Sequence, residues 1–135
     1  MKNLIWLAGV LFVLACSPEN VLKPVDLRCE YLENPGVVDV DLPRLSWINL
    51  APEEARGEGQ TAWQVRVASS PEMLENPDLW DSGKQLSDQS IRVEYGGKDL
   101  RSSQECWWQV RTWNRSDRVS AWSEPAFWRM GLLHA

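Results

Sequence analysis

Alternation of apolar and polar residues with a period of two, in short runs broken by turn-forming residues, constrains this chain more than any other feature. Thr61-Ala62-Trp63-Gln64-Val65-Arg66-Val67-Ala68 puts Trp63, Val65 and Val67 on one side and Gln64 and Arg66 on the other. Successive side chains of an extended strand point to opposite faces, so such a run predicts a half-buried strand. Ile91 to Tyr95 repeats the pattern, with Ile91, Val93 and Tyr95 on one side, and ends at Gly96-Gly97, a pair that tolerates positive φ. Cys106 to Trp113 alternates again: Cys106, Trp108, Val110 and Thr112 face one way, and Trp107, Gln109, Arg111 and Trp113 the other. Arg44 to Leu50, entered through Pro43, sets Leu45 and Trp47 on one side, and Asp26 to Tyr31 and Ala126 to Met130 read as first and last strands.

The intervening stretches are turns. Asn34-Pro35-Gly36, Asp81-Ser82-Gly83 and Asn114 to Asp117 carry turn residues, and Ala51 to Gly59 is a charged loop with too little apolar surface to pack. Ser70-Pro71-Glu72 reads as a cap, a proline in the first turn and a favourably placed acid, which predicts one helical turn over Pro71 to Glu75. Short strands with turn signals roughly every 8 to 12 residues and no long helix predict an all-β fold: an antiparallel seven-stranded β-sandwich of the immunoglobulin or fibronectin type III kind, over residues 24–133. The 135 residues suffice for one such domain, and 44% hydrophobic with 24% charged residues is the balance of a chain that packs a core. A formal charge of −5 argues against nucleic acid, whose phosphates are neutralised by clustered Lys and Arg.

The first residues have a different character. Lys2 precedes an uncharged apolar run, Leu4 to Ala15, shorter than the about 20 residues a spanning helix needs and suited to a secretory signal. Val13-Leu14-Ala15-Cys16 resembles the lipobox of bacterial lipoproteins. That resemblance implies a signal peptide over 1–15, lipidation at Cys16, a tether over 16–23 and membrane contact through the lipid anchor only. Ser17, where no Asp stands, implies sorting to the outer membrane. Cys29 and Cys106 both fall within predicted strands, which favours two buried thiols over a disulfide, although an exported protein can form one.

Several ordered motifs carry a second resemblance. They are Asp26-Leu27-Arg28-Cys29-Glu30-Tyr31-Leu32-Glu33-Asn34-Pro35, Pro43-Arg44-Leu45-Ser46-Trp47, Gln60-Thr61-Ala62-Trp63-Gln64-Val65, Leu79-Trp80-Asp81-Ser82-Gly83, Trp108-Gln109-Val110-Arg111, and Ser120-Ala121-Trp122-Ser123-Glu124-Pro125 through Gly131-Leu132-Leu133. Together they resemble the N-terminal domain of bacterial α-L-rhamnosidases of glycoside hydrolase family 78. The resemblance implies a fibronectin type III-like sandwich that precedes further β-domains and a catalytic α/α-barrel. The sequence stops at Ala135, before any barrel, so the expected role is a non-catalytic accessory domain, or a fragment of a split or truncated gene. Its partner would be the rest of a rhamnosidase, in cis or in trans. The alternative is a stand-alone surface lipoprotein that binds glycan through outward aromatics. One departure stands out: fibronectin-type domains usually carry a corner tyrosine six residues after a leucine such as Leu100, and Cys106 occupies that place.

The chemistry-bearing residues are sparse. Glycoside hydrolysis needs two carboxyl groups at a set separation, one with a raised pKa, and nothing pairs any of the acids, among them Asp39, Asp41, Glu53, Glu54, Glu58, Glu72, Glu75 and Asp78. His134 is the only histidine, which disfavours a triad or a metal site, and no phosphate-cradling glycine loop is present; no cofactor is expected. Asn114-Arg115-Ser116 fits a glycosylation acceptor by chance. Nine tryptophans against two tyrosines and two phenylalanines demand an explanation. Trp47, Trp63 and Trp108 belong to the core faces. Arg66, Trp107, Arg111, Trp113 and Trp122 form a candidate interaction face, because Ser120-Ala121-Trp122-Ser123 resembles half of the Trp-Ser repeat of cytokine receptors. Trp122 is expected to stack between the Arg66 and Arg111 guanidinium groups.

Overall fold

The structure, a computed structural model, describes residues 21–133. The signal segment, Cys16, Ser17 and His134 lie outside the described residues. Seven strands form: β1 (Lys23–Cys29), β2 (Arg44–Leu50), β3 (Ala62–Ala68), β4 (Trp80–Asp81), β5 (Val93–Glu94), β6 (Glu105–Trp113) and β7 (Ala126–Arg129). They make two antiparallel sheets, ordered β1-β2-β5 and β4-β3-β6-β7. The expected seven-stranded sandwich is present, and the alternation is why. Every second residue of β6, from Cys106 to Thr112, is buried, while Trp107, Gln109, Arg111 and Trp113 are half-buried on the outer face. β3 pairs with β6 along its full length, from Ala62 opposite Trp113 to Ala68 opposite Trp107.

The core is held by aromatic edges. Trp47, Trp63, Trp80, Tyr95 and Trp128 follow one another in T-shaped contacts, with centroid separations of 5.9, 6.2, 5.4 and 6.1 Å. Edge-to-face packing suits the ring quadrupoles, and each such pair adds about 0.5 to 1.5 kcal/mol beyond area burial. The chain of rings starts on β2, crosses to β3 and β4, returns beside β5 and ends on β7, so it staples one sheet to the other.

Tyr95 also closes a corner. Its hydroxyl donates to the Lys98 carbonyl at 2.6 Å and approaches the Leu79 carbonyl at 3.3 Å. A Cβ at Gly97 would collide with the Leu79 carbonyl and Trp80 Cβ, so only glycine lets this corner close. The corner missing at Cys106 is thus made by a different tyrosine, and the Cys106 site is filled by a fully buried thiol.

Four local expectations need correction. Ile91 to Tyr95 is a strand only at Val93–Glu94, because Arg92 adopts φ 56° and turns Ile91 out to solvent. The first strand starts earlier and stops earlier than Asp26 to Tyr31. Asp26 (φ 51°) makes a bulge, and Glu30 and Tyr31 (φ 50° and 65°) form a tight turn between Cys29 and Leu32. Two central residues at positive φ is the hairpin geometry usually supplied by Asn-Gly, so nothing in Glu-Tyr announces it. The tether over 16–23 runs two residues too far, since Leu22 is buried and Lys23 opens β1. The helical turn is a short 3-10 segment, Pro71–Met73, and Ser70 makes no side-chain cap bond. Ser69 takes the polar role, its backbone N–H and hydroxyl both donating to the Asp78 carboxylate at 2.8 and 2.6 Å.

A buried amide closes the opposite end of the core. Gln60 Oε1 accepts from Trp47 Nε1 and Asn49 Nδ2 at 3.0 and 2.9 Å, and Gln60 Nε2 donates to the carbonyls of Ser87 and Gln89. All its hydrogen-bonding capacity is used, which fastens the 87–89 stretch to the sandwich. Gln60→Ala is expected to cost about 2 to 4 kcal/mol, because it strands an indole N–H and two carbonyls. Urea unfolding followed by tryptophan fluorescence measures it.

Cys29 and Cys106 are free, buried thiols. Burial pushes the Cys106 pKa up to about 12 and raises that of Cys29 as well. Unfolded thiols ionise near about 8.5, so above that pH the folded state retains protons that the unfolded state releases, and stability falls as pH rises. Melting temperature under reducing conditions is expected to drop from pH 8.5 to 11, and the slope should be shallower in Cys29→Ala/Cys106→Ala. Tyr95, whose phenol burial also shifts upward, keeps the slope from vanishing.

Candidate functional site

The outer face of the four-stranded sheet carries the residues expected to interact. Trp122 lies between two cations, with the Arg66 guanidinium 4.0 Å and the Arg111 guanidinium 4.6 Å from its ring centroid. Arg111 also lies 5.4 Å from the Trp113 ring, whose centroid is 4.9 Å from Lys84 Nζ. The order is Arg66, Trp122, Arg111, Trp113, Lys84: a ladder of alternating cations and indoles. Two glutamine oxygens aim the guanidinium groups. Gln109 Oε1 accepts from Arg66 Nε and Nη2 at 2.9 and 2.7 Å, and Gln64 Oε1 accepts from Arg111 Nε at 2.8 Å.

The backbone under Trp122 is set by serines. Ser120 and Ser123 are buried and pair with β6 by donating their N–H groups to the Thr112 and Val110 carbonyls. Their hydroxyls accept the Thr112 and Val110 N–H groups at 3.0 and 3.1 Å. Each serine therefore substitutes for both bonds of a ladder pair, and Trp122, between them, is turned onto the sheet. Ser82 does the same for Val65 at the other edge of the sheet.

Four of the five expected residues, Arg66, Arg111, Trp113 and Trp122, come together here. Trp107 does not join them: its ring contact is with Phe127, 5.0 Å away between centroids. Lys84 was not foreseen, since it follows a turn with no periodicity to place it. Asn114 is buried, and its side-chain oxygen accepts the N–H groups of Ser116 and Arg118, so the acceptor-like motif builds a turn.

Two concavities exist among the best-formed. One of about 620 Å³ runs between β1 and Ala121 to Ala126, with Asp26, Glu33 and Glu124 among its lining residues. All three acids are exposed, and Asp26 is paired with Arg28 at 3.1 Å. The second, about 390 Å³ and shallow, is lined by Asn34, Glu105, Trp107, Pro125 and Phe127. Among the described residues, no group of three His, Cys, Asp or Glu side chains is placed to hold a metal ion.

Comparison with known proteins gives one coherent result. The family model described as "Rha78A-like, N-terminal immunoglobulin domain" matches residues 24–134. The chain belongs to this family. Over 116 residues it is 44% identical to an α-L-rhamnosidase of Streptomyces avermitilis, covering 86% of this chain and 11% of that protein. Over 126 residues it is 41% identical to an α-L-rhamnosidase of Formosa agariphila, covering 90% and 13%. The crystal structure of a Streptomyces avermitilis α-L-rhamnosidase complexed with L-rhamnose superposes with a TM-score of 0.80 at 42% identity, over 84% of this chain and 11% of that one. The chain thus spans roughly an eighth of the length of these relatives. The Rha78A-like N-terminal domain is accordingly an immunoglobulin-like sandwich, and the ladder and the Tyr95 corner are features of its surface and its core.

Trp122→Ala is expected to lower the unfolding free energy by about 1 to 3 kcal/mol, since two cation–π contacts disappear at once. Val119→Ala, on the neighbouring exposed position, should change it by less than about 0.5 kcal/mol. Chemical denaturation of the two variants side by side is the check.

Proposed function

We propose that this protein is a non-catalytic accessory domain of the α-L-rhamnosidase system, exported and lipid-anchored at Cys16, which spaces and orients a catalytic body. The observation that carries the reading is the family match over the entire sandwich, 24–134, to a segment that makes up 11 to 13% of α-L-rhamnosidases. The strand order supports a spacing role. β1 enters at one end of the sandwich, and β7 leads to Leu133 at the other, so anchor and following polypeptide would be held a strand's length apart, about 20 Å. The chemistry of the surface agrees, because the guanidinium groups of the ladder are committed to indoles and amide oxygens, and the acids at the concavity between β1 and Ala121 to Ala126 are exposed.

A glycan-binding module is the second reading, favoured by the shallow Trp107–Phe127 cleft with polar Asn34 and Glu105 at its rim. Apolar ring faces and a few polar groups are what a sugar needs. The ladder is less suited to it, since cations already cover its indoles.

The purified full chain is expected to release no chromophore from an aryl α-L-rhamnoside; measurable turnover, lost on substituting an acidic residue, would contradict the accessory reading. Titration with rhamnose-containing oligosaccharides should leave tryptophan fluorescence unchanged, whereas a saturable shift abolished by Trp107→Ala would establish the second reading. In a bacterial host, Cys16→Ser should abolish acyl labelling and move the protein from the membrane to the soluble fraction.

A further inference from the structure

Exposed apolar side chains are distributed unevenly over the sandwich. Of the twelve large hydrophobic residues exposed among the described residues, seven, including Leu32, Val37, Val40, Leu42 and Leu132, lie in the loops at one end. That end is where β1 finishes, β2 and β6 begin, β7 finishes and the chain leaves. Val37 is 65% and Leu132 79% exposed. Val37 lies against Gly131, the residue before Leu132: a Cβ on Gly131 would come within 3.1 Å of Val37 Cγ1.

The exit itself is rigidly held. Met130 N–H donates to the Gln104 carbonyl at 2.9 Å, and Gly131 N–H to the Val38 carbonyl at 2.8 Å. The Gly131 carbonyl accepts from Ser103 N–H, and Leu133 N–H donates to Ser102 Oγ at 2.9 Å. Leu133 packs partly against the core. A side chain on Gly131 would overlap the Asp39 carboxylate, so close approach of the 37–39 segment fixes glycine there. The polypeptide therefore emerges in one set direction, beside a collar of exposed Val and Leu.

We infer that this exit-end collar is the docking surface for the domain that follows in an α-L-rhamnosidase. The inference rests on the accessory reading and adds the surface to it. The occupant follows from length and position: the sandwich covers 11 to 13% of its relatives, so a much larger body lies beyond the position of Leu133 in them. Because the strand is pinned as far as Leu133, the polypeptide leading to that body starts among these loops, which are the part of the sandwich nearest to it. An apolar collar makes contact there favourable, because burying exposed Val and Leu side chains removes apolar surface from water. The other surfaces fit less well. The aromatic ladder has its ring faces covered by its own cations, and Ile48 and Leu50 lie toward the opposite end, where Lys23 pairs with Leu50.

The sandwich closes its own core, so it can be exchanged between proteins. The test is a hybrid in which residues 24–133 replace the matching segment of the Streptomyces avermitilis α-L-rhamnosidase, compared with Val37→Asp/Leu132→Asp and with the control Ile48→Asp/Leu86→Asp. Limited proteolysis of the junction after Leu133 is the readout. Docking predicts that the hybrid and the control resist cleavage, and that the collar variant is cut at least tenfold faster. The 135-residue chain carrying Val37→Asp/Leu132→Asp should keep its melting temperature, showing that the collar acts between domains. Equal cleavage of collar and control variants would overturn the inference, and so would an unaltered hybrid cut as fast as the collar variant. A melting temperature lowered in the isolated collar variant as much as in the hybrid would overturn it too. The accessory reading fails by a different sign, turnover of an aryl rhamnoside by the 135-residue chain alone.

Discussion

Everything in this sandwich depends on the row of aromatic edges that joins its two sheets. Trp47 belongs to the three-stranded sheet, Trp63, Trp80 and Trp128 to the four-stranded one, and Tyr95 follows β5, which like β4 has only two residues. β5 contributes only two paired residues, Val93–Glu94, too few to hold a sheet edge by backbone bonding alone. It is kept by Tyr95, whose ring sits between Trp80 and Trp128 and whose hydroxyl ties down the following turn. An abundance of tryptophan thus substitutes for strand length: large rings reach across the layer where hydrogen-bonded ladders are short.

The same economy of backbone governs the outer face. The segment from Ser120 to Ser123 is not a regular strand, yet it lies along β6 because two serines provide both donors and acceptors. That places Trp122 within reach of both the Arg66 and the Arg111 guanidinium groups. Neither guanidinium group has a carboxylate ion pair among the described residues; their hydrogen bonds go to Gln64 and Gln109. A neutral acceptor fixes the orientation of the guanidinium without pulling it off the indole. The ladder is in this sense a surface continuation of the packing inside.

The strands were legible where one face is buried, since burial writes a period of two into residues such as Trp63, Val65 and Val67 or Cys106, Trp108 and Val110. The stacking of Trp122 was legible too, because Ser-Ala-Trp-Ser and two arginines on alternating positions suffice to place it. Positions governed by long-range or backbone effects left no such trace. Gln60 looks like any polar residue before a strand, although the far end of the core closes on it. Lys84 reaches Trp113 from a turn, and the left-handed pair Glu30-Tyr31 lacks the residues that favour such a turn. The exposed collar around Leu132 was hidden for another reason: an apolar residue in a loop reads the same whether it faces solvent or core, until the fold assigns it.

A sandwich that enters at one end, exits pinned at the other and is stapled through its middle by aromatic rings suits a rigid spacer better than a flexible one. Native-state hydrogen exchange on the full chain tests this most directly. The Trp47 and Tyr95 amides, bonded to Ser90 and Pro43, report on the three-stranded sheet, and the Val65 and Val110 amides, in β3 and β6, report on the four-stranded one. If the aromatic row makes the two sheets one cooperative unit, all four exchange only by global unfolding, with the same free energy. A three-stranded sheet that opens several kcal/mol below the other would contradict the account.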